Sequence, residues 1–253
     1  MSTTPASPFD LGGKVALVTG GSRGLGREMA LAFARAGADV VIASRKRENC
    51  DATAREIEAL GRRALAHPCH VGDWNALGEL AERAWSDFGR VDVLVNNAGM
   101  SPLYPSLAEV GEALWDKVLA VNLKGPFRLS ALLGARMAAT GGGSIINISS
   151  VASIRPTPME TPYAAAKAGL NALTVAFAHA YGPAVRVNCI MAGPFLTDIS
   201  NAWDPAMRQH FERMAALGRA GEPSEIVGAA LYFASAASSF TTGAVLRVDG
   251  GQV

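Results

Sequence analysis

The chain has 253 residues and a formal net charge of +1, with 49% hydrophobic and 18% charged residues. This length and apolar content suit one large α/β domain with a substantial core. Basic and acidic residues are interspersed, which argues against a nucleic-acid or acidic-membrane partner, since either would need a basic cluster. No apolar run reaches the roughly 20 residues that cross a bilayer, so we expect no membrane partner.

The three cysteines, Cys50, Cys69 and Cys189, are odd in number, far apart and without the spacing of metal ligands. They predict no metal site and indicate a reducing compartment, so we expect a cytoplasmic protein. The first ten residues are polar and lack the basic start and apolar core of a secretory signal. We interpret residues 1–10 as a flexible tail and residues 11–253 as a single domain.

Short apolar segments alternate with longer amphipathic segments along the chain. The predicted strands are Lys14–Thr19, Asp39–Ala43, Ala64–Pro68, Val91–Val95, Ser144–Ile148, Val185–Ile190 and Ala244–Val248. The predicted helices with defined bounds are Gly24–Ala36, Asp73–Phe88, Glu112–Val121, Phe127–Ala139, Pro162–Tyr181, Asp204–Ala216 and Pro223–Ala234. A further helix is predicted in the charged stretch that follows the second strand and ends at Leu60. Strands with continuous valine, isoleucine and leucine are typical of a parallel sheet that is buried on both faces. The alternation predicts an α/β fold, a doubly wound, Rossmann-type parallel sheet with helices on both faces.

A glycine-rich turn with Gly20, Gly24 and Gly26 lies between the first predicted strand and the first predicted helix. Glycines let the backbone turn tightly and approach a pyrophosphate, which then binds N–H groups at the start of the helix. The spacing differs from the commonest G-x-G-x-x-G pattern, and a glycine turn without a ligand is the alternative. The flanking strand and helix favour a dinucleotide-binding site.

The end of the second predicted strand indicates which dinucleotide binds. An acidic residue near this place usually binds the ribose hydroxyl groups of NAD, but the strand ends in Ser44, Arg45 and Lys46. Arg45 could pair with the 2′-phosphate of NADP, with Ser44 as a hydrogen-bond partner and Arg23 of the glycine turn adding charge. A solvated basic start of the next helix is the alternative. We expect NADP as cofactor, with NAD possible.

Tyr163 and Lys167 stand four residues apart in an alanine-rich segment after Pro162. On the predicted helix this spacing puts both side chains on one face, one turn apart. A nearby ammonium group favours the phenolate, so we expect Lys167 to lower the pKa of Tyr163 toward neutral pH. Ser150 ends an apolar strand, where its hydroxyl could hold a substrate carbonyl oxygen. The alternative is a chance Tyr-x-x-x-Lys, which occurs in many helices.

Five motifs follow one another along the chain. They are Thr19-Gly20-x-x-x-Gly24-x-Gly26, Asn96-Asn97-Ala98-Gly99, Asn122, Ser150 and Tyr163-x-x-x-Lys167. In this order the chain resembles the short-chain dehydrogenase/reductase family over nearly its whole length, from about residue 11 to residue 251. It is similar to the single-domain branch with 3-oxoacyl-carrier-protein reductases, sugar and sugar-acid (gluconate) dehydrogenases and hydroxysteroid dehydrogenases.

The resemblance implies four catalytic residues. Tyr163 would be the general acid in carbonyl reduction and the base in alcohol oxidation. Lys167 would bind the nicotinamide ribose and lower the pKa of the phenol. Ser150 would polarise the carbonyl, and Asn122 would hold a water that links Lys167 to solvent. Such preplaced donors stabilise the charge that hydride transfer leaves on the substrate oxygen.

The resemblance also implies the cofactor contacts. Asn96, Ala98 and Gly99 would shape the floor beside the adenosine ribose, Ile190 would line the nicotinamide pocket, and Thr197 would contact the carboxamide. The expected cofactor-binding residues are Gly20, Ser22, Arg23, Gly24, Leu25, Gly26, Ser44, Arg45, Val71, Asn97, Ala98, Gly99, Tyr163, Lys167, Gly193 and Thr197.

The chain departs from the family pattern at two loops. Where relatives carry an Asp-Val pair near the adenine, this chain has His70-Val71, so only the backbone of Val71 could make that contact. We interpret His70 as a surface or adenine-side residue, because no metal ligands stand around it. The usual Pro-Gly after the sixth strand is replaced by Ala192-Gly193.

The substrate side is predicted least well. Its candidate residues are Ser101, Leu103, Tyr104, Arg155, Met159 and the segment 195–214. A stripe of Trp203, Met207, Phe211 and Met214 at helical spacing is either core or the lining of a mobile substrate lid. The helix 164–181 is apolar nearly all round and so needs cover beyond the sheet. Relatives pair through this helix, and we expect a homotetramer, or a homodimer.

Three functions remain open. The leading hypothesis is an NADP-dependent oxidoreductase that interconverts a ketone and a secondary alcohol. The first alternative is an NAD-dependent dehydrogenase of a sugar or sugar acid. The second is a non-catalytic, dinucleotide-binding regulatory protein, which should have lost at least one of Ser150, Tyr163, Lys167 or Asn122. Neither the substrate nor the physiological direction can be read from the residues.

Overall fold

The computed structural model describes residues 7–198, 200 and 203–252. The strands are β1 (Val15–Thr19), β2 (Asp39–Ser44), β3 (Ala64–Pro68), β4 (Val93–Asn96), β5 (Gly143–Ser150), β6 (Val185–Ala192) and β7 (Val245–Val248). The helices are α1 (Gly24–Arg35), α2 (Arg47–Ala59), α3 (Trp74–Phe88), α4 (Glu112–Leu119), α5 (Gly125–Thr140), α6 (Thr161–Tyr181), α7 (Pro205–Met214) and α8 (Val227–Ala234).

The seven strands form one parallel sheet in the order β3-β2-β1-β4-β5-β6-β7. The chain winds outward from β1 to β3 and then returns to place β4 on the other side of β1. This reversal opens a crevice at the carboxyl ends of β1 and β4, where ligands bind in such sheets. The predicted fold class, a doubly wound α/β sheet with helices on both faces, is confirmed.

Two hydrophobic layers cover the sheet. Helices α1, α2 and α8 pack on one face, with Phe33 and Phe233 fully buried. Helices α3, α5 and α6 pack on the other, with Leu80 and Leu133 fully buried. Burying each such side chain stabilises the fold by roughly 1.5–3 kcal/mol. The strands therefore have to be apolar on both faces, which explains their continuous apolar sequences.

The region between α4 and α5 differs from the prediction of two separate helices. A five-residue π turn, Ala120–Lys124, joins α4 to α5, so that the helical backbone continues through the predicted gap. Pro126 lies at the start of α5, directly after the π turn. Isolated π turns are rare and have no clear sequence signature, which is why the periodicity did not reveal this one.

Other boundaries shift by a few residues. The fourth strand begins at Val93 rather than at residue 91, and a 3₁₀ turn, Pro223–Ile226, precedes α8 within the predicted helix. Of the predicted tail, residues 1–6 lie outside the described residues. The carbonyl of Pro8 accepts a hydrogen bond from the Ala237 N–H at 3.1 Å, so this part of the tail contacts the domain. None of the helices in the described ranges has the length and apolar character needed to cross a membrane.

Candidate active site

The glycine turn forms a narrow cradle at the end of β1. Gly20 has a φ of +65°, in the left-handed region that favours glycine. A Cβ on Gly26 would lie 2.3 Å from the Gly20 carbonyl oxygen and 2.4 Å from Nδ2 of Asn97. Any side chain at Gly26 would push α1 away from the turn. The start of α1 therefore approaches the turn closely only because these positions are glycine.

A hydrogen-bonded clamp joins the glycine turn to the segment after β4. The Thr19 hydroxyl donates to the Val95 carbonyl and accepts from the N–H groups of Asn97 (3.0 Å) and Ala98 (3.1 Å). Nδ2 of Asn97 donates to the carbonyls of Thr19 (2.8 Å) and Gly20 (3.3 Å). Asn97 thus holds the cradle in place through its side chain. Thr19 begins the glycine-turn motif, but the sequence analysis gives it no role. Its hydroxyl at the end of a buried strand is the feature that could have predicted this clamp.

The cradle suits an anion such as a dinucleotide pyrophosphate. The first turn of α1 contains no acidic residue, so nothing opposes negative charge at this helix start. The Ser22 side chain is 8% exposed, and its Oγ has no hydrogen-bond partner among the described residues. A buried hydroxyl without a partner is costly unless a ligand completes its hydrogen bonding. Leu25 is half-buried behind the turn. These residues fit the implied cofactor.

The basic residues expected at a 2′-phosphate lie beside the cradle. Ser44 is half-buried at the end of β2 and Arg45 is exposed next to it. Arg23 forms an ion pair with Asp198 at 3.1 Å, across from the segment after β6. Both side chains are more than half exposed, so the pair contributes at most about 1 kcal/mol. A phosphate could therefore draw Arg23 away, and Asp198 is a neighbour that sequence reasoning missed.

The structure brings Tyr163, Lys167 and Ser150 together. Tyr163 lies in the first turn of α6, and the Nζ of Lys167 is 5.6 Å from the centre of its ring. This Nζ donates a 2.7 Å hydrogen bond to the carbonyl of Ile148. The carbonyl is accessible because β5 continues past the last residue of β4, Asn96. Ser150 ends β5, and its Oγ accepts from the Ala152 N–H at 3.2 Å.

The electrostatics of this group contradict one expectation. Burial raises the pKa of Tyr163 to about 12, although a hydrogen bond with Ser150 lowers it and the charge of Glu160 raises it. Burial also lowers the pKa of Lys167 to about 8. The prediction that Lys167 pulls the phenol toward neutral pH is therefore wrong for this structure. Desolvation is the largest effect on the pKa of the phenol, and the Lys167 ammonium is directed at the Ile148 carbonyl.

Asn122 lies in the π turn and ties α4 to the segment after β4. Its Nδ2 donates to the carbonyls of Met100 (2.8 Å) and Val118 (2.9 Å), and its Oδ1 accepts from the Met100 N–H at 3.2 Å. A Cβ on Gly99 would lie 3.0 Å from this Oδ1 and 3.7 Å from Nζ of Lys167. Asn122 and Lys167 therefore flank Gly99. Both amide N–H groups of Asn122 bond to protein carbonyls, so the side chain positions the loop.

The remaining predicted cofactor residues lie at varying distance from the cradle. Thr197 faces it, because a Cβ on Gly24 would contact the Thr197 side chain at 3.4 Å. Val71 is buried and its carbonyl packs against α5. A Cβ on Gly193 would lie 2.6 Å from Cα of Asp249, and the contact of Gly193 with the cofactor stays a prediction. Asn96 and Ile190 are buried in β4 and β6, and Asn96 lines a small recess with Val71 and Ala98.

His70 and the cysteines show no sign of metal binding. His70 is exposed, and its Nδ1 accepts from the Gly72 N–H at 3.1 Å. Within the described ranges no three His, Cys, Asp or Glu side chains are grouped as metal ligands. The three cysteines are buried, and none of them forms a disulfide.

A recess opens beside Tyr163 on the substrate side. It is lined by Tyr104, Leu114, Val118, Glu160, Pro162 and neighbours of the loop after β4. The Tyr104 hydroxyl donates to the Pro158 carbonyl at 2.6 Å and accepts from the Thr161 N–H at 2.8 Å, which closes one wall. Of the predicted substrate residues, Ser101 and Tyr104 line the recess, whereas Leu103 and Met159 are exposed. Arg155 hydrogen-bonds to the carbonyl of Gln252. Sequence reasoning missed Glu160.

The stripe after Thr197 does not belong to the core. Helix α7 has no buried residue, and Met207 is 36% exposed. The rings of Trp203 and Phe211 contact each other, with centres 4.7 Å apart. The core interpretation is therefore wrong. Whether α7 forms a substrate lid stays a prediction, since residues 199, 201 and 202 before it lie outside the described part of the chain.

Comparison with known proteins places this geometry among nicotinamide-dependent oxidoreductases. A family model described as enoyl-(acyl carrier protein) reductase matches residues 20–252. The 2-dehydro-3-deoxy-D-gluconate 5-dehydrogenase of Pseudoalteromonas atlantica is 40% identical over an alignment 252 residues long, which covers 96% of this chain and 97% of that protein.

Two solved structures share the whole fold. The NADPH-dependent 3-quinuclidinone reductase of Rhodotorula rubra has a TM-score of 0.92 at 31% identity, covering 99% of this chain and 96% of that chain. A 7α-hydroxysteroid dehydrogenase in complex with NADH and 7-oxo glycochenodeoxycholic acid has a TM-score of 0.93 at 34% identity. The match covers 99% of this chain and 98% of the chain of that dehydrogenase.

Proposed function

Because the chain belongs to the short-chain dehydrogenase/reductase family, we propose that it is an NADP-dependent oxidoreductase interconverting a ketone and a secondary alcohol. The observation that carries the proposal is the convergence of Ser150, Tyr163 and Lys167 beside the glycine cradle. These residues come from β5 and α6, and they meet at the crevice where a doubly wound sheet binds its ligand.

The proposed chemistry assigns one task to each group. The bound nicotinamide would supply or accept the hydride. The Ser150 Oγ accepts from the Ala152 N–H, so its own O–H can donate to the substrate carbonyl oxygen. The Tyr163 phenol gives its proton to that oxygen in reduction and takes it back in oxidation. The Lys167 ammonium, beside Gly99, would hold the ribose and replace the proton that the phenol loses.

The cofactor preference follows from charge. No acidic residue lies at the end of β2, where Arg45 is exposed. The ion pair of Arg23 with Asp198 is exposed and weak, so Arg23 is free to bind a phosphate instead. NADP is the proposed cofactor, with NAD as the weaker one. Comparing kcat/KM for the two at equal concentration tests this preference. Arg45→Asp should lower the NADP value at least tenfold relative to NAD, whereas Arg55→Asp on the following helix, α2, should not.

Two alternatives have specific consequences. The first alternative is an NAD-dependent dehydrogenase of a sugar or sugar acid, and the 40% identity to a gluconate-derivative dehydrogenase supports its sugar-acid substrate. Such an enzyme would prefer carboxylate substrates and NAD. A non-catalytic dinucleotide-binding protein would bind cofactor without turnover. The presence of all four expected catalytic residues, Ser150, Tyr163, Lys167 and Asn122, favours an enzyme.

The proposal includes the compartment and the assembly. Three cysteines that form no disulfide support a cytoplasmic location. Exposed apolar side chains on α5 and α6 support pairing of chains into a homotetramer or a homodimer.

Replacing Tyr163 by phenylalanine tests the function. Tyr163→Phe removes the acid/base group and keeps the ring, so turnover of a ketone panel should fall at least a thousandfold. NADPH binding, followed by fluorescence titration, should stay within about threefold. Tyr181→Phe is the matched control. Tyr181 lies at the opposite end of α6 from Tyr163, and its hydroxyl donates to the Ala131 carbonyl. A loss of only a few-fold in Tyr163→Phe would contradict the proposed role.

A further inference from the structure

The recess beside Tyr163 contains one ionisable acid, Glu160. The other described side chains that line it are apolar or carry hydroxyl groups. Tyr163 lines the same recess as Glu160. A charged group near the reacting carbon of a substrate held at Tyr163 would therefore lie close to Glu160.

Glu160 has no basic partner to satisfy it. None of the ion pairs among the described residues includes it. Its carboxylate accepts one long hydrogen bond, from the Thr157 hydroxyl at 3.4 Å. Arg155, the nearest cation in sequence, bonds to Gln252 instead. A half-buried carboxylate without a cation is unfavourable, and burial raises the pKa of Glu160 accordingly.

A structural role for Glu160 has little support. The residue precedes α6 at its N-cap position, but its side chain makes no capping hydrogen bond. A capping carboxylate would accept from N–H groups of the first helical turn. Glu160 and Tyr163 line the same recess. The acid therefore faces the reacting centre without serving the helix.

We propose that Glu160 selects substrates by charge, so that this site accepts carbonyl compounds carrying an ammonium group near the reacting carbon and disfavours carboxylates. The inference rests on the proposed ketone–alcohol function and names its substrate class. An ammonium group of the substrate would be the cationic partner that Glu160 lacks among the described residues. The hydrogen bond from an ammonium to a carboxylate is charge-assisted and therefore strong. A substrate carboxylate would meet a like charge in a partly desolvated recess.

Three ketones of similar shape test the proposal. They are protonated 1-methylpiperidin-4-one, uncharged cyclohexanone and 4-oxocyclohexane-1-carboxylate, each assayed at pH 7 with NADPH. The expected kcat/KM falls in that order, by at least tenfold from the cation to the anion. In Glu160→Gln the ratio of cation to anion should shrink to within about threefold, mainly through KM. Glu79→Gln, an exposed acid on α3, should keep the wild-type ratio.

Binding separates this inference from the proposed function. Ligand-observed NMR titration of the same three ketones into the protein with NADP⁺ gives their affinities without turnover. The cation should bind most tightly to wild type and lose this advantage in Glu160→Gln. Equal affinities in wild type, or a preference that Glu160→Gln leaves unchanged, would overturn the inference. Charge-ranked binding with no reduction of any ketone would contradict the proposed function while upholding the charge selection.

Discussion

At the scale of single residues, the clearest sign of a ligand is a group that the protein leaves incomplete. Ser22 is buried with no partner for its hydroxyl, whereas Ser130, which is also buried, accepts a hydrogen bond from Asn96 at 2.9 Å. Both are serines in a packed interior. The protein satisfies the hydroxyl of Ser130 and leaves that of Ser22 without a partner, as we expect for a group that binds the phosphate of the cofactor.

Alanine at these two serines should therefore have opposite effects. Ser22→Ala should weaken NADPH binding about tenfold and leave thermal stability unchanged or slightly higher, because an unsatisfied buried group is lost. Ser130→Ala should leave NADPH binding unchanged and destabilise the fold by about 1–3 kcal/mol. Fluorescence titration and urea unfolding measure both effects. A stability loss in Ser22→Ala with normal binding would refute the assignment.

Lys167 predicts a dependence of stability on pH. Its pKa is about 8 in the folded protein and 10.5 in a model peptide, so between these values the unfolded chain binds the proton that the folded chain releases. Stability from this group therefore rises with pH from about 8 to 10.5, by about 3 kcal/mol. Tyr163 opposes this above pH 10, because its folded pKa is about 12.

Urea unfolding of wild type and Lys167→Met at pH 7.5, 8.5 and 9.5 isolates the effect. The lost hydrogen bond to the Ile148 carbonyl destabilises the variant equally at every pH. The difference in unfolding free energy should grow in favour of wild type as pH rises. Parallel pH profiles would show that the ammonium group is not desolvated in the folded protein.

At the scale of elements, the approach of α1 to β1 decides whether the cradle exists. Gly26→Ala should abolish NADPH binding and destabilise the fold, because its Cβ would lie 2.3 Å from the Gly20 carbonyl oxygen. Gly228→Ala in α8 has no heavy atom within 4 Å of the added Cβ and should be neutral or stabilising by up to about 1 kcal/mol. Titration and thermal unfolding of both variants test this, and normal cofactor binding in Gly26→Ala would contradict it.

At the scale of the whole molecule, exposed apolar side chains predict association. Trp74, Phe127 and Val175 are each about two-fifths exposed on α3, α5 and α6, and Phe240 is fully exposed before β7. Such surface is unfavourable in a monomer. Light scattering should give four times the 26.3 kDa chain mass. Val175→Asp should reduce the mass, whereas Leu60→Asp at the end of α2 should not. A monomeric wild type would refute the prediction.

The sequence by itself determined the fold class, the family and the grouping of Ser150, Tyr163 and Lys167. Each depends on patterns within one strand, turn or helix: continuous apolar runs, glycines before a helix, and a four-residue spacing. The strand order then brings the carboxyl ends of β1, β4 and β5 together by general rules of such sheets.

Only the tertiary structure decided the pKa of Tyr163, the Thr19–Asn97 clamp, the Arg23–Asp198 pair and the place of Glu160. Partners in the clamp are 78 residues apart and those in the ion pair 175 residues apart. The pKa of Tyr163 depends on how much water the packed protein removes from the phenol. The ammonium of Lys167, four residues away in sequence, donates to the Ile148 carbonyl. Local patterns place residues on elements, but desolvation and contacts between distant segments arise only when those elements pack.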